Sequence, residues 1–436
     1  MGTQSALFRT RRFMPLFLTQ FFGALNDNVL KNAMVVLLTF QAASWTTLPP
    51  EVVVNLAAGL FILPFFLFSA TAGQLADKYD MSRLARRVKL FEIVIVVVAA
   101  VGFMQHQLAI LLSSLFMLGL HSTLFGPIKY ALLPQHLHES ELVGGNALVE
   151  AGTFIAILFG TLLGGLLAAS PDSTNLIAGT GLAIAVAGYV ASLGIPSARP
   201  PAPVLRIHLN PLAETWHCVQ FARADRTVFL SIMGISWFWL FGALFLAQFP
   251  VYTRQYLGGA ESAVTLLLGA FTLGIGLGSL LCERMSAGRI EVALVPLGSI
   301  GLSLFALDLA FASPGQMASA GAALDIPGLL SQPYAWRVLA DLVLIGVFGG
   351  FFIVPLYALV QQRSNPQARA RIIAANNIFN ALFMVVGAAA AAAMLGGGLG
   401  IPQLFATAAL CNIAVAIFIY RLVPEFMQRF LLWLRR

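Results

Sequence analysis

The feature that most constrains this chain is a recurrence. Stretches of roughly 20 or more predominantly apolar residues return twelve times, separated by short polar breaks, and roughly 20 apolar residues as a helix are what it takes to cross a bilayer. The spans fall at roughly 13–40, 52–76, 85–104, 108–132, 142–169 and 175–195, then at roughly 227–254, 262–283, 291–313, 334–362, 371–396 and 402–421. Composition agrees: of 436 residues 59% are hydrophobic and only 10% charged, where soluble domains carry about 25% charged residues. The first run follows Arg9, Arg11 and Arg12, which imitates a secretory leader. It has no small-residue cleavage site and holds charges of its own, so it reads as a retained first helix.

Between the sixth and seventh spans lies ARPPAPVLRIHLNPLAETWHCVQFARADR, residues 198–226. Its prolines and four arginines mark a linker, and its second half, from Asn210, suits a short helix on the membrane surface. The expected organisation is an N-terminal six-helix bundle over 1–197, this cytoplasmic linker over 198–226, a C-terminal six-helix bundle over 227–423, and a basic amphipathic tail over 424–436. An even number of spans puts both termini on one side. That side would hold 21 of the 25 lysines and arginines, Lys89 among them, and the other only Arg254 and Arg337. The positive-inside rule then makes both termini cytoplasmic. The net charge of +7 is thereby a loop property and gives no reason to expect nucleic acid.

The two halves resemble each other. FGAL at Phe22–Leu25 returns at Phe241–Leu244, KYALLPQ at Lys129–Gln135 as LYALVQQ at Leu356–Gln362, and GQLAD from Gly73 as GSLLCE from Gly278. Asn146 and Asn376 open similar polar–apolar patterns. The order is collinear, with the longer loops after the first and ninth spans absorbing the differences in spacing. The fold class read from this is an all-α membrane protein of twelve transmembrane helices, in two six-helix bundles related by a parallel pseudo-two-fold repeat. Such repeats point to a transporter with its site between the halves, near the midplane.

Inside the first span, FFGALNDNVLK (Phe21–Lys31) carries an acid, a base and two amides. Gln20, Gly23, Asp27 and Lys31 recur at three- and four-residue spacing and share one helix face. A charge at that depth costs at least about 2.5 kcal/mol, so the face turns to a cavity. Asp27 there either meets a ligand or gates, or it forms an internal i,i+4 pair with Lys31. Asn146, Glu150, Thr153, Gly160 and Gly164 make a second stripe on the fifth span. Glu150 reads as a ligand contact or as the partner of Lys129, and Lys129 as a phosphate contact or a snorkelling base. His121 reads as a helix–helix hydrogen bond; Asn376, Asn377 and Asn380 serve equally as interhelical donors or ligand contacts. Asp308 and Asp341, toward the outer ends of their helices, read as wet. The GxxxG spacings at Gly160/Gly164, Gly274/Gly278 and Gly346/Gly350 read as close packing.

The loop GQLADKYDMSR (Gly73–Arg83) resembles the signature between the second and third helices of the major facilitator superfamily. The resemblance implies that Gly73 allows close helix approach, that Asp77 caps a helix end and pairs with a neighbouring helix, and that Arg83 completes the charge relay of a cytoplasmic gate. In the second copy Cys282 and Glu283 stand where the acid is expected. QFFGALNDN (Gln20–Asn28), GPIKYALLP (Gly126–Pro134), GNALVEAGTFIAILFGTLLGG (Gly145–Gly165) and GVFGGFFIVPLYALVQQR (Gly346–Arg363) resemble the bacterial lysophospholipid transporter family. That implies movement of lysophospholipids such as lysophosphatidylethanolamine across the inner membrane by alternating access. Substrate contacts are then expected from Asp27, Asn28, Lys31, Lys129, Asn146, Glu150, Asn376 and Asn380. A carboxylate would meet the ethanolamine ammonium and a lysine the phosphate. Departures exist: some members carry an arginine within helix 7, where this chain reads Phe245-Leu246-Ala247-Gln248. Related proteins occur fused to an acyltransferase and acyl-carrier-protein ligase, which makes such enzymes expected partners.

Enzyme chemistry finds no footing. The chain has no Gly-Lys dipeptide for a Walker A loop and no GxSxG elbow. A His-x4-Asp acyltransferase pair is missing, since His136 is followed at that spacing by Glu141. Cys218, Cys282 and Cys411 are scattered, which suits neither disulfide nor metal, and no cofactor is expected. Two rival readings stand: a proton-coupled exporter of drugs or metabolites using Asp27 and Glu150, and a membrane scaffold holding an acyltransferase through the tail PEFMQRFLLWLRR.

Overall fold

The computed structural model describes residues 4–40, 46, 50–286, 289–315 and 323–435. The loops expected after the first and ninth spans lie partly outside the described residues, as do residues 1–3 of the first expected domain and Arg436 of the tail. Among the described residues, twelve long helices stand where the apolar runs predict them. They are α1 Met14–Phe40, α2 Pro50–Lys78, α3 Met81–Met104, α4 Leu108–His136, α5 Leu142–Ala168, α6 Ser173–Leu193, α7 Arg226–Tyr256, α8 Glu261–Ser286, α9 Leu294–Ala312, α10 Pro333–Arg363, α11 Arg369–Gly396 and α12 Ile401–Leu422. They form the two six-helix sets, α1–α6 and α7–α12. A linker helix spans Pro211–Arg223 and a tail helix Pro424–Leu434. Prolines inside α2, α4, α7 and α10 are carried within continuous helices, as neighbouring helices in a membrane bundle allow.

Ten of the twelve are long and apolar enough to cross a membrane. The other two, α1 and α3, are the helices that carry Asp27, Lys31, Lys89 and Glu92 along their length.

By contacts the chain forms two compact units. One comprises Met1–Glu139, Ile155–Asp225 and Gln361–Ile378; the other comprises Ser140–Phe154, Arg226–Val360 and Phe379–Arg436. In the first, Leu30, Met34 and Leu37 of α1, Ile95 and Ala99 of α3, Leu111, Leu115 and Leu118 of α4 and Ile177 of α6 build a shared apolar core. In the second, Phe241, Phe245, Phe249, Phe271 and Phe405 are fully or almost fully buried, with Phe245 stacked on Phe405 at 4.3 Å between ring centroids. The tail helix packs on α9 and α12 through Phe426 and Phe430. Its Leu431, Leu432 and Leu434 remain at least half exposed, the two-faced character expected of an interfacial helix.

Glycine seams hold equivalent helix pairs in the two units. A methyl group on Gly119 of α4 would collide with the Phe61 carbonyl of α2. On α8, Gly274 and Gly278 meet the backbone of α10 at Val343 and Val347, and Gly346 and Gly350 return the contact. Backbones this close exclude any side chain. Gly278→Leu is expected to cost about 3 kcal/mol and to lower the folded yield on size-exclusion chromatography. Gly276→Ala, whose added methyl meets nothing within 4 Å, is the control expected to leave the yield unchanged.

The Gly73–Arg83 stretch, expected as a loop, is helical up to Lys78 and resumes at Met81. Asp80 caps α3, accepting from the Ser82 and Arg83 amides at 2.8 and 3.3 Å, and it also accepts from the Ser197 hydroxyl at 2.6 Å. Burial pushes its carboxyl up, but the hydrogen bonds from Ser197, Ser82 and the Arg83 and Ala198 amides outweigh burial and bring it down to about 2. A carboxyl held below its unfolded value stabilises the fold fully above that value and loses the contribution as pH falls toward 2. Asp80→Ala is therefore expected to cost about 1 kcal/mol at pH 7. In thermal unfolding, the gap from wild type should narrow between about pH 4 and pH 2.

Two expectations about exposure are corrected. Lys89, counted with the cytoplasmic loop charges, is completely buried within α3. Asp341, expected to be wet, is only 3% exposed, because α10 continues past it toward the packed interior. Asp308 does face solvent, paired with Arg337.

Candidate functional site

The expected polar face of α1 exists, and it is met by groups from α3 and α4. Asp27 accepts a hydrogen bond from Ser122 of α4. Its Oδ1 lies 3.8 Å from His121 Nδ1. On the far side of the imidazole, Nε2 is 3.2 Å from Glu92 Oε2. Glu92 forms an ion pair with Lys89, one turn earlier on α3, and accepts from the Asn26 amide of α1 at 2.7 Å. Lys89, Glu92 and Asn26 are fully buried. Space for the lysine comes from two glycines: a methyl on Gly188 of α6 would lie 2.7 Å from Lys89 Cε, and one on Gly23 of α1 would lie 3.3 Å from Nζ. A buried charge survives only when it is paired or hydrogen-bonded; here Lys89 and Glu92 pair with each other, and Glu92 also accepts from Asn26.

Asp27 opens on one side into a cavity of about 110 Å³ lined by Gln20, Gly23, Ala24, Asp27, His121, Ser122, Phe125, Gly126 and Lys129. An acid and a base thus share one small chamber. Lys129 Nζ lies 4.4 Å from the Tyr130 ring centroid. A methyl on Gly126 would reach the Asn377 side chain, which places that amide beside the chamber. A cavity of about 780 Å³ in the second unit has no charged residue in its lining among the described residues and offers no ionic recognition there.

The remaining expected contacts are placed elsewhere. Lys31 has its Nζ over the Phe61 ring at 5.4 Å, while the contacts of Asp27 described above go to α4. Asn28 donates to the Ala24 carbonyl at 2.8 Å and Asn146 to the Leu142 carbonyl at 2.8 Å, each on its own helix. Asn28 also lies against Gly160 at the seam of α1 and α5. Glu150 is fully buried and belongs with Asn146 and Asn380 to the second unit. Asn380 accepts from Ser236 at 2.8 Å, and Asn376 is buried in the first unit.

At the end of α2, Gly73 has the close approach its position implies: a methyl there would lie 2.9 Å from Arg371 Cα and Ala374 Cβ. Asp77, fully buried, accepts from Arg371 Nε at 2.9 Å and from the Ala370 and Arg371 amides at 3.1 and 3.3 Å. It therefore caps the first turn of α11, whose free N–H groups and positive dipole end favour a carboxylate. The cation that meets Asp77 is Arg371; the Arg83 side chain is exposed. The linker straps this junction. Gln74 exchanges two hydrogen bonds with the His208 backbone, and Phe221 of the linker helix lies 4.5 Å from the Arg371 guanidinium.

Sequence reasoning missed Glu92, Lys89 as a buried group, and Arg371 as the partner of Asp77. The i,i+3 spacing to Lys89 was a sign for Glu92 alone, since Lys89 itself reads as the end of a basic run. Arg371 is distant in sequence and gives none. Among the described residues no group of three or more His, Cys, Asp or Glu is placed to hold a metal ion.

Comparison with known proteins agrees with the helices. The chain is 28% identical over 415 residues to the "Lysophospholipid transporter LplT" of Citrobacter koseri, covering 92% of this chain and 94% of the relative. It is 27% identical to the protein of that name from Serratia proteamaculans, over 85% of each. Among solved structures, the human organic anion transporter MFSD10 superposes with a TM-score of 0.74 at 14% identity, covering 94% of this chain and 99% of the other. The transporter FucP superposes at 0.69 with 13% identity, over 95% and 99%; these two likenesses concern the fold alone. The family description of the Major Facilitator Superfamily matches residues 16–330, from the first turn of α1 past α9, and with the twelve-helix arrangement it makes this chain a member of the Major Facilitator Superfamily.

Proposed function

We propose that this chain moves lysophospholipids, lysophosphatidylethanolamine among them, across the bacterial inner membrane by alternating access, with both termini cytoplasmic. The observation that carries the reading is the chamber holding Asp27 and Lys129 together. A phosphoethanolamine headgroup has one ammonium and one phosphate, and a carboxylate and a lysine in one small chamber complement both. Asp27 takes the amine and Lys129 the phosphate. Glu150, Asn146 and Asn380 do not line this chamber and carry no part of this assignment. The names of the relatives, aligned over most of the chain, support the substrate class. Asp77, Gly73 and the first turn of α11 act as the gate, with Arg371 rather than Arg83 as the counter-ion. An acyltransferase or acyl-carrier-protein ligase is the enzyme class that would consume the delivered lipid.

The test uses purified protein in proteoliposomes and labelled lysophosphatidylethanolamine. Label should cross the bilayer faster than in protein-free vesicles. The exporter reading draws on the contact between His121 and Asp27. It would be favoured instead by proton flux induced by a small amphiphile with no movement of lysolipid. The scaffold reading rests on the half-exposed apolar face of the tail helix and requires chamber variants to keep full activity.

A further inference from the structure

His121 stands between two carboxylates, with Nε2 toward Glu92 at 3.2 Å and Nδ1 toward Asp27 at 3.8 Å. A neutral imidazole has one N–H and can satisfy only one of them; an imidazolium has two and satisfies both. Which form is present decides whether Asp27 is open. We propose that His121 is a proton-operated switch on Asp27, so that a proton on the imidazole and an amine headgroup on the carboxylate exclude each other. This rests on the headgroup reading above.

In the neutral form, the N–H lies on Nε2, facing Glu92 Oε2 at 3.2 Å, and Asp27 keeps the Ser122 hydroxyl. Its Oδ1, buried and without another hydrogen bond, is left for the ammonium of the lipid. In the protonated form the proton enters from water in the chamber that His121 lines. It sits on Nδ1 and engages Asp27, and the amine loses its counter-ion. No bond is made or broken beyond that transfer.

The surroundings contain little else that could titrate. Helix α1 contributes Asp27 and, one turn on, Lys31, which is drawn to Phe61 of α2. Helix α3 contributes Lys89 and Glu92. Helix α4 contributes His121 and, two turns away, Lys129. Helix α6 meets the cluster with Gly181 and Gly188. Lys89 and Glu92 do not line the chamber. They are positioning residues, and they set the charge that the imidazole experiences.

The experiment measures uptake into proteoliposomes between pH 5.5 and 8.5, with ionophore present so that no gradient forms. It compares lysophosphatidylethanolamine with lysophosphatidylglycerol, which lacks the amine. Uptake of the amine lipid at limiting concentration is expected to fall on the acid side by up to about tenfold per pH unit, and uptake of the glycerol lipid to show no such fall. Glu92→Gln removes a negative charge and should move the midpoint to lower pH by about one unit; Lys89→Met removes a positive charge and should move it to higher pH by about one unit. Opposite displacements are the signature, since a merely structural role would weaken both variants without separating their midpoints. A flat profile for the amine lipid, identical profiles for the two lipids, or displacements in one direction would overturn the switch while leaving the transport reading intact. The comparison of lipids on the wild-type protein decides the matter even where a variant fails to fold. Absence of lysolipid uptake at every pH would overturn the headgroup reading and the switch together.

Discussion

Asp27→Asn is expected to reduce lysophosphatidylethanolamine uptake by about 10- to 150-fold while leaving the melting temperature unchanged or raised. The reduction follows from a lost hydrogen bond to a charged group, about 1.5–3 kcal/mol, at about 1.4 kcal/mol per factor of ten. The thermal behaviour follows from the cost of holding a carboxylate inside the bundle. Asparagine keeps the size and can still accept from Ser122, so the packing survives and the desolvated charge is gone. This pairing of outcomes separates a binding group from a structural one. Were Asp27 present only to hold helices together, uptake and stability would fall in parallel. The comparison is made by uptake into spheroplasts at matched protein level and by thermal unfolding of the purified protein.

Asp77→Ala is expected to lower stability by about 3–5 kcal/mol and to abolish transport. The substitution leaves the Arg371 guanidinium, only 12% exposed, without its counter-ion, and it strips the Ala370 and Arg371 amides of their acceptor. Helix α11 then begins with unpaired donors against α2 at the point where Gly73 lets the backbones meet. Arg83→Ala is the discriminating control. Its side chain is exposed, and a surface substitution of this kind should stay within about 0.5 kcal/mol, with transport retained. A collapse from Arg83→Ala equal to that from Asp77→Ala would show the relay running through the residue that motif resemblance favours, against the contacts seen here.

These two residues also show how far the sequence could be read. The helices were legible because the bilayer sets a length and a polarity that each span must meet, and the observed bounds lie within about four residues of the expected ones. Asp27 was legible for the same reason: a charge in the middle of such a span has few places to go. Lys89 was not, because the run Arg86-Arg87-Val88-Lys89 reads as one basic cluster at the edge of the membrane. Two glycines on other helices, Gly23 and Gly188, make the niche that draws its last member inside, and no rule of spacing along α3 reveals them. Once Lys89 is inside, Glu92 follows as its i,i+3 partner. The contact of Asp77 with Arg371 crosses 294 positions of sequence, and the motif alone could name only the acid. Asp341 failed as an expectation of exposure because burial near a helix end depends on what packs over it, which is a tertiary property.

The chamber itself was half legible. The acid of α1 and the base of α4 were both singled out, yet their convergence depends on how α4 lies beside α1, with Ser122 turned to the Asp27 carboxylate and Gly126 keeping the wall open. The amides of Asn28 and Asn146 looked equally available from their spacing. Both turned back onto their own helices, a local alternative always open to asparagine.

A structure of the protein with lysophosphatidylethanolamine bound tests the central assignment most directly. The headgroup is expected in the chamber of Gln20, Asp27, Ser122 and Lys129, its ammonium within about 3 Å of an Asp27 oxygen and its phosphate facing Lys129. A headgroup held elsewhere, with that chamber still empty and Asp27 untouched, would contradict it.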